Sequence, residues 1–213
     1  MKKNQHLFNF VAEIGCNHQG DLKFAFKMID TLVNFCGVKF VKFQKRNPIE
    51  LLGEERYNKP HPVPENSFGK TYGLHREKLE FNISEHKKIQ KYCKSKKIEY
   101  MCSAWDITSL KQLISLKMNH IKIPSACNNN FDLLKYLFKN FKGYSHISLG
   151  MTTIKEENMI YTLAKKYKKL KKLILYACTS DYPVKQDDVC LLEITRLKKK
   201  YLKDINAIGF SGH

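Results

Sequence analysis

Several features that are common in membrane and secreted proteins are scarce in this 213-residue sequence. No apolar run approaches the roughly 18 residues that a helix needs to cross a bilayer. The basic start, MKKNQHLFNFVAEIG, has a short apolar part that is broken by Asn9 and followed by Glu13, which is not typical of a secretory signal. The seven cysteines form no CxxC pair, which favours reduced thiols over a disulfide framework. We therefore expect a cytoplasmic protein that does not associate with membranes.

Acidic residues are also few: 20 of them accompany 38 lysines and arginines, which gives a formal net charge of +18. The excess fits solvated lysine-rich helix faces such as KKYKKLKK (165–172), a site for an anionic small substrate, or a nucleic-acid surface. Nucleic-acid binding would need a basic stripe interleaved with exposed aromatic residues, so nucleic acid is not the partner that we expect. Net charge alone does not choose between the other two.

Short apolar runs alternate with amphipathic helical patterns along the whole chain. The runs are continuous in apolar character, which is typical of parallel strands buried on both faces. The predicted strands are Phe8–Ile14, Val38–Phe43, Glu99–Ser103, His120–Ile123, His146–Leu149, Leu173–Ala177 and Ala207–Phe210. The predicted helices lie within 21–36, 84–97, 108–117, 130–142, 154–169 and 186–202, with Asp21, Ser84, Thr108 and Asp187 as candidate N-caps.

This alternation predicts an α/β fold, either a doubly wound sheet or a (β/α)8 barrel. AEIGCNHQGDL lacks the G-x-G-x-x-G spacing of a dinucleotide-binding loop. Polar residues follow nearly every strand, and in a barrel the strand ends converge on one mouth. We therefore expect a single TIM-barrel domain over residues 1–213. Segment 46–82 holds four of the six prolines, so we interpret it as an active-site loop without a long helix.

Lys42 and Lys122 lie inside apolar strands, where a lysine is costly unless it is paired. One interpretation is a buried ion pair with Glu13 or Asp106. Another is a two-lysine clamp for a phosphate or carboxylate. A Schiff-base lysine is a third, because burial lowers the pKa of a lysine. Hydroxyl groups that would join the clamp come from Ser125, Ser148 and Ser211.

His213 follows the last strand, beside Ser211 and Gly212. A lone histidine is most often structural, but at a barrel strand end metal ligation is a reasonable alternative. A catalytic metal usually needs about three protein ligands, so one histidine does not define a site.

Taken together, the strand-end motifs resemble those of the sialic acid synthases and of their relatives for legionaminic and pseudaminic acids. The ordered set covers almost the whole chain and is specific, although each motif alone is weak. The matching stretches are AEIGCNHQGD (12–21), VKFQ (41–44), SAWD (103–106), IKIPSA (121–126), SLGM (148–151), CTSDYP (178–183) and IGFSGH (208–213).

The resemblance implies a TIM barrel that condenses phosphoenolpyruvate with an N-acetylated, N-acetylmannosamine-like aminosugar to give a nonulosonic acid and phosphate. Glu13, Gln44 and Tyr182 match positions near the sugar and the reacting centre. With the two lysines, Glu13 and Tyr182 are the expected catalytic residues, and Asn17 is a further substrate-binding candidate. The positions that match phosphoenolpyruvate-binding residues are Lys42, Lys122, Ser125, Ser148, Ser180 and Ser211.

His213 matches the first of two family histidines that bind a divalent metal, for which manganese is expected and magnesium and cobalt are alternatives. The metal would polarise the sugar aldehyde. The second histidine, the eighth strand and the antifreeze-like C-terminal domain of the family have no counterpart here. We therefore expect a barrel truncated after its seventh strand, with weak or no activity of this chain alone. A homodimer is left open.

Two positions depart from the family pattern. Ser180 stands where many relatives have asparagine, and Cys127 where many carry an acid. Three other functions stay open on the residues: another phosphoenolpyruvate-aldose condensing enzyme that makes 3-deoxy sugar acids, a class I aldolase that uses Lys122, and a non-catalytic basic binding protein.

Overall fold

A computed structural model describes residues 8–212 of the chain. Two compact units follow one another along the chain, the first ending at Cys102 and the second beginning at Ser103. All seven predicted strands are confirmed. They are β1 Val11–Gly15, β2 Phe40–Lys45, β3 Glu99–Ala104, β4 His120–Ile123, β5 Tyr144–Ser148, β6 Leu173–Cys178 and β7 Ala207–Ser211. The helices are α1 Leu22–Asn34, α2 Pro48–Asn58, α3 Tyr72–Lys78, α4 Ile83–Ser95, α5 Ile107–Ser115, α6 Phe131–Asn140, α7 Ile154–Lys166 and α8 Leu192–Tyr201.

In the first unit, β1 and β2 are parallel, and Glu13 lies opposite Lys42 in their register. Alternate residues of the strands supply a fully buried core that includes Ile14 and Phe43. Helices α1 and α4 pack against each other. The parallel arrangement brings the carboxyl ends of β1 and β2, and the polar residues that follow them, to the same edge.

In the second unit, β4, β5, β6 and β7 are parallel neighbours in chain order. Lys122 lies opposite His146, Ser148 opposite Tyr176, and Cys178 opposite Ser211. Residues in register on parallel strands share a face, and so do residues two apart on one strand. The side chains of Lys122, His146, Ser148 and Tyr176 therefore project from one face of this sheet.

The helix starts are set by side chains that accept hydrogen bonds from free backbone amides. Asp21 is confirmed as the N-cap of α1, since it accepts from the amides of Lys23 and Phe24. The other three predicted caps are wrong, because each lies inside or well before the first turn. Asn82 caps α4 in a capping box with Glu85, Asp106 caps α5, and α8 begins after Leu191 without a side-chain cap.

Segment 46–82 contains no long helix, as expected. Its longest helix, α2, is broken at Gly53, whose φ of +67° lies in the left-handed region that favours glycine. The two ends of the segment are joined by Arg46, which donates from Nε to Glu80 Oε1 at 2.5 Å and from its backbone N to Glu80 Oε2 at 2.9 Å. In the described range, no helix combines the length and the apolar character that a membrane crossing requires.

Candidate functional site

Glu13, Lys42 and Gln44 form one group at the carboxyl ends of β1 and β2. Lys42 is buried and makes an ion pair with Glu13, whose side chain is 46% exposed. The ion pair with Glu13, one of the interpretations given for Lys42, is therefore present, and the carboxylate is partly open to solvent. A Cβ built on Gly15 would lie 3.3 Å from Gln44 Nε2 and 3.4 Å from Glu13 Oε1, so both side chains flank that glycine.

Asn17 and His18, which follow β1, have different environments. Asn17 is exposed and accessible to a ligand. His18 is buried, and its ring stacks on Phe81 with 3.9 Å between centroids. Its Nδ1 accepts a hydrogen bond from the amide of Gly20 at 3.1 Å. Burial lowers the pKa of His18 to about 4, so the ring is neutral and shapes the turn after β1.

Lys122 is the centre of a second group, at the carboxyl ends of β4 to β7. It is 7% exposed, and its Nζ donates to Ser211 Oγ at 3.0 Å. The Nζ also lies 4.9 Å from the centroid of the Tyr176 ring. Burial lowers the pKa of Lys122 to about 8, and an electrostatic contribution from Cys178 acts in the opposite direction. The amine is therefore mostly protonated at neutral pH although it is largely removed from water.

Three further predicted hydroxyl groups lie in this second unit. A Cβ built on Gly150 would lie 2.1 Å from Ser180 Oγ and 2.7 Å from Ser125 Oγ, so both hydroxyls converge on this glycine. Within residues 8–212, the buried Oγ of Ser148 has no hydrogen-bond partner. A buried polar atom without a partner is costly, and a ligand that bonded it would remove that cost. These hydroxyls can therefore donate hydrogen bonds to an oxyanion.

Asn128 holds the loop that carries Gly150, a role that its sequence pattern does not predict. Its Nδ2 donates to the carbonyl of Ser148 at 2.9 Å, to that of Gly150 at 3.0 Å and to Thr152 Oγ1 at 2.6 Å. Its neighbourhood in the sequence, SACNNN, gave no signal, because three consecutive asparagines usually indicate an exposed turn. Asn128 is 1% exposed instead.

Cys127 and Tyr182 differ in exposure. Cys127 is buried and donates from Sγ to the carbonyl of Trp105 at 3.1 Å, and burial raises the pKa of its thiol to about 11. The thiol therefore stays protonated and neutral, so it does not supply the negative charge of the acid that many relatives carry at this position. Tyr182 is 72% exposed in the loop after β6. Asp106, the other predicted lysine partner, accepts from Ser109 N at 2.6 Å and from Ser109 Oγ at 2.8 Å.

The expected divalent metal has no complete set of ligands in the described part of the chain. No three His, Cys, Asp or Glu side chains between residues 8 and 212 come together in a way that could hold a metal ion. His213, the predicted ligand, lies outside the described residues. Residues 8–212 therefore do not form a metal centre by themselves, and the lysine and hydroxyl groups described above are of the types that bind anions.

The fold and these two groups define a class of protein, an α/β protein with parallel strands whose carboxyl ends carry buried lysines and hydroxyls. Residues 28–213 match the model of the NeuB family, and the chain belongs to that family. It is 33% identical over 209 residues to N-acetylneuraminate-9-phosphate synthase of Homo sapiens and 29% identical over 204 residues to N,N'-diacetyllegionaminic acid synthase of Campylobacter jejuni.

These alignments cover 98% and 95% of this chain but only 56% and 60% of the relatives, so the chain spans about half to three fifths of their length. A solved structure gives the same result. The N-acetylneuraminic acid (sialic acid) synthetase of Leptospira borgpetersenii, crystallised with citrate, matches with a TM-score of 0.81 and 27% identity. The match covers 95% of this chain and 64% of the synthetase. The family resemblance of the sequence is confirmed.

Proposed function

We propose that this chain is part of a synthase that condenses phosphoenolpyruvate with an N-acetylated aminosugar to give a nonulosonic acid and phosphate. Relatives named for N-acetylneuraminate-9-phosphate and for N,N'-diacetyllegionaminic acid support this proposal. So does the order of the motifs that the chain shares with the family. The proposal includes that residues 1–213 belong to one (β/α)8 barrel domain, to which this chain contributes the seven strands β1 to β7.

The observation that carries the proposal is the buried amine of Lys122. Its Nζ bonds to the Ser211 hydroxyl, and on the same face of the sheet the buried hydroxyl of Ser148 has no partner in the described chain. A cation removed from water is stabilised most by an anion that bonds to it directly. Phosphoenolpyruvate brings a phosphate and a carboxylate on one small frame. We assign the phosphate or carboxylate at this end of the molecule to Lys122, Ser125, Ser148, Ser180 and Ser211.

In the proposed reaction, the methylene carbon of phosphoenolpyruvate forms a bond to the aldehyde carbon of the open-chain sugar, and the aldehyde oxygen becomes a hydroxyl. Water adds its oxygen to the carbon that carries the phosphate, and the bond between that carbon and the phosphate oxygen breaks. Phosphate leaves and a ketone remains, so water supplies the ketone oxygen and the net protons. The chain's own contribution is to hold the anion in line and to neutralise it.

We propose that the first-unit group also binds substrate, as its match to family positions implies. Lys42 shares its charge with Glu13, and Gln44 and Asn17 offer amide groups that can orient hydroxyls. Tyr182 is exposed and can contact the incoming sugar. A divalent metal, a homodimer and a cytoplasmic location remain predictions.

Thermal unfolding with and without phosphoenolpyruvate tests the proposal on the purified chain. Ligand that binds the folded state alone raises the melting temperature in proportion to the logarithm of its concentration. We expect a shift for wild type, with or without manganese, and no shift for Lys122→Met. Lys135→Met, which removes an exposed lysine from α6, is the matched control and should behave like wild type. A wild-type protein that millimolar phosphoenolpyruvate fails to stabilise would contradict the proposal.

The identity of the sugar is a separate question with its own assay. Phosphoenolpyruvate contributes the first three carbons of the product, so carbon 9 of the acid is carbon 6 of the hexose. Phosphate release should therefore be compared with N-acetylmannosamine, its 6-phosphate and an N,N'-diacetylated diaminohexose, with arabinose 5-phosphate for the 3-deoxy sugar acid alternative. Release with the pentose phosphate alone would favour that alternative.

A further inference from the structure

The ring of Tyr176 forms the surface on which the Lys122 amine rests. The two residues lie on β4 and β6, on either side of His146 in β5, and their side chains share one face of the sheet. Lys122 Nζ is 4.9 Å from the ring centroid, within the range of a cation–π interaction. This contact is stronger where water is excluded, and Lys122 is 7% exposed.

A line of hydrogen bonds holds the ring in this position. The Tyr176 hydroxyl and His146 Nδ1 are 2.7 Å apart, and His146 Nε2 and His120 Nδ1 are 2.9 Å apart. His120 in turn stacks on Tyr144, with ring planes 11° apart. These hydrogen bonds therefore connect His120, at the amino end of β4, to Tyr176, whose ring contacts the Lys122 amine. Burial raises the pKa of Tyr176 to about 12, so its hydroxyl stays protonated.

The Tyr176 ring also packs closely against a glycine. A Cβ built on Gly209 in β7 would lie 2.5 Å from Tyr176 Cε1 and 2.6 Å from Cδ1. Real side chains do not approach an aromatic ring so closely, so the ring occupies the space that a side chain at position 209 would fill. The ring is thus confined by Gly209 on one strand and anchored by His146 on another.

We propose that Tyr176 is a positioning residue for Lys122, and that its hydrogen bonds through His146 to His120 hold its ring where the Lys122 amine meets the bound anion. This inference rests on the proposed function, because it assumes that Lys122 binds phosphoenolpyruvate. A lysine side chain has four rotatable bonds and loses much freedom when it is held in one place. Ser211 offers the Lys122 amine a single hydrogen bond, and the contact with the flat Tyr176 ring restricts its position further.

A purely structural role for the Tyr176, His146 and His120 cluster predicts a different outcome. The three groups satisfy one another's hydrogen bonds, so their loss would lower stability whatever Lys122 does. Only a positioning role also changes anion affinity and the pH at which that affinity is lost. The groups that face Lys122 are Ser211 from β7, Tyr176 and Cys178 from β6, and His146 from β5.

The test measures phosphoenolpyruvate binding by calorimetry between pH 6.5 and 9.5, with melting temperatures recorded alongside. Tyr176→Leu removes the ring, and we expect about a tenfold loss of affinity and a lower pH midpoint, since the ring no longer favours the protonated amine. Tyr176→Phe keeps the ring but loses the anchor, and a loss of a few-fold is expected. Gly209→Ala should displace the ring and resemble Tyr176→Leu.

Tyr201→Phe is the matched control. It removes a buried tyrosine hydroxyl that contacts Glu157 Oε1 at 2.7 Å, so it should lower stability while affinity and pH midpoint stay at wild-type values. Folded Tyr176→Leu with wild-type affinity and midpoint would overturn this inference. If Lys122→Met also binds as wild type does, the proposed function fails as well. If Lys122→Met loses binding, only the role of Tyr176 is refuted.

Discussion

Lys42 in the first unit and Lys122 in the second occupy comparable positions, but their charges are balanced differently. Both lie within parallel strands and are 7% exposed. Lys42 has a carboxylate partner, Glu13, directly across the β1–β2 register. The partners that the described chain provides for Lys122 are a hydroxyl, an aromatic ring and a nearby thiol. A buried cation that lacks a carboxylate partner is stabilised when an anionic ligand binds to it, so Lys122 is the stronger candidate for ligand binding.

The largest expected effect concerns the affinity for phosphoenolpyruvate. Lys122→Met should weaken binding at least about 100-fold, because it removes a desolvated charge that bonds the anion. Lys42→Met should weaken it about tenfold, since Glu13 already shares that charge. Calorimetry on the two variants, with Lys135→Met as the exposed control, measures the difference. Equal losses of phosphoenolpyruvate affinity in the two variants would contradict the proposed difference between Lys122 and Lys42.

The ligand-free stability should change in opposite directions. Lys122→Met is expected to raise the free energy of unfolding at pH 7 by ~2 kcal/mol, because the depressed pKa shows that folding desolvates this charge at a cost. Lys42→Met should lower it, since Glu13 loses its partner. Urea unfolding of both proteins without ligand gives the signs. A destabilised Lys122→Met would indicate that packing and the Ser211 hydrogen bond outweigh the desolvation.

The affinity for phosphoenolpyruvate and the ligand-free stability should both depend on pH through the titration of Lys122. With a pKa near 8, Lys122 loses its charge as the pH rises, and phosphoenolpyruvate affinity should fall about tenfold per unit above pH 8. Ligand-free stability should rise over the same window, up to about pH 10.5, because the unfolded chain still binds the proton there. Lys122→Met should bind with no such slope. A wild-type affinity that stays constant from pH 7 to 9.5 would contradict this prediction.

The smallest effect is expected at Glu13. Glu13→Gln leaves Lys42 without its carboxylate and makes the first unit resemble the second. Because the Glu13 side chain is 46% exposed, the loss of stability should be ~1 kcal/mol or less. Glu55→Gln, which removes an exposed partner of Lys59, is the matched control and should change little. A loss of several kcal/mol would mean that the pair is effectively buried.

The strands could be predicted because most are nearly continuous apolar runs, which is the composition that burial on both faces requires. The helix starts were harder, since adjacent polar residues compete as caps. Ser84 and Thr108 are reasonable N-cap residues, but Asn82 and Asp106 have the extended backbone and the reach to the free amides. The lysines were identifiable because a charge inside an apolar run is rare.

Residues that act through neighbouring strands gave no such signal. Tyr176 lies in an apolar strand, where the sequence predicts a core residue. Gly209 lies in another strand and has no feature that distinguishes it in the sequence. Their importance comes from the β5–β6–β7 register, which places the ring against one strand and its hydroxyl against another. Asn128 is similar, since its three acceptors lie 20 to 24 residues away.

The sequence by itself determined the α/β class, the seven strands, the family and the set of polar residues at the strand ends, because these follow from local composition and order. Only the tertiary structure decided how each lysine is balanced. Lateral register assigned a carboxylate to Lys42 and a hydroxyl and a ring to Lys122, and it buried the latter far enough to lower its pKa. Register depends on contacts between residues distant in the chain, and desolvation depends on everything packed around them.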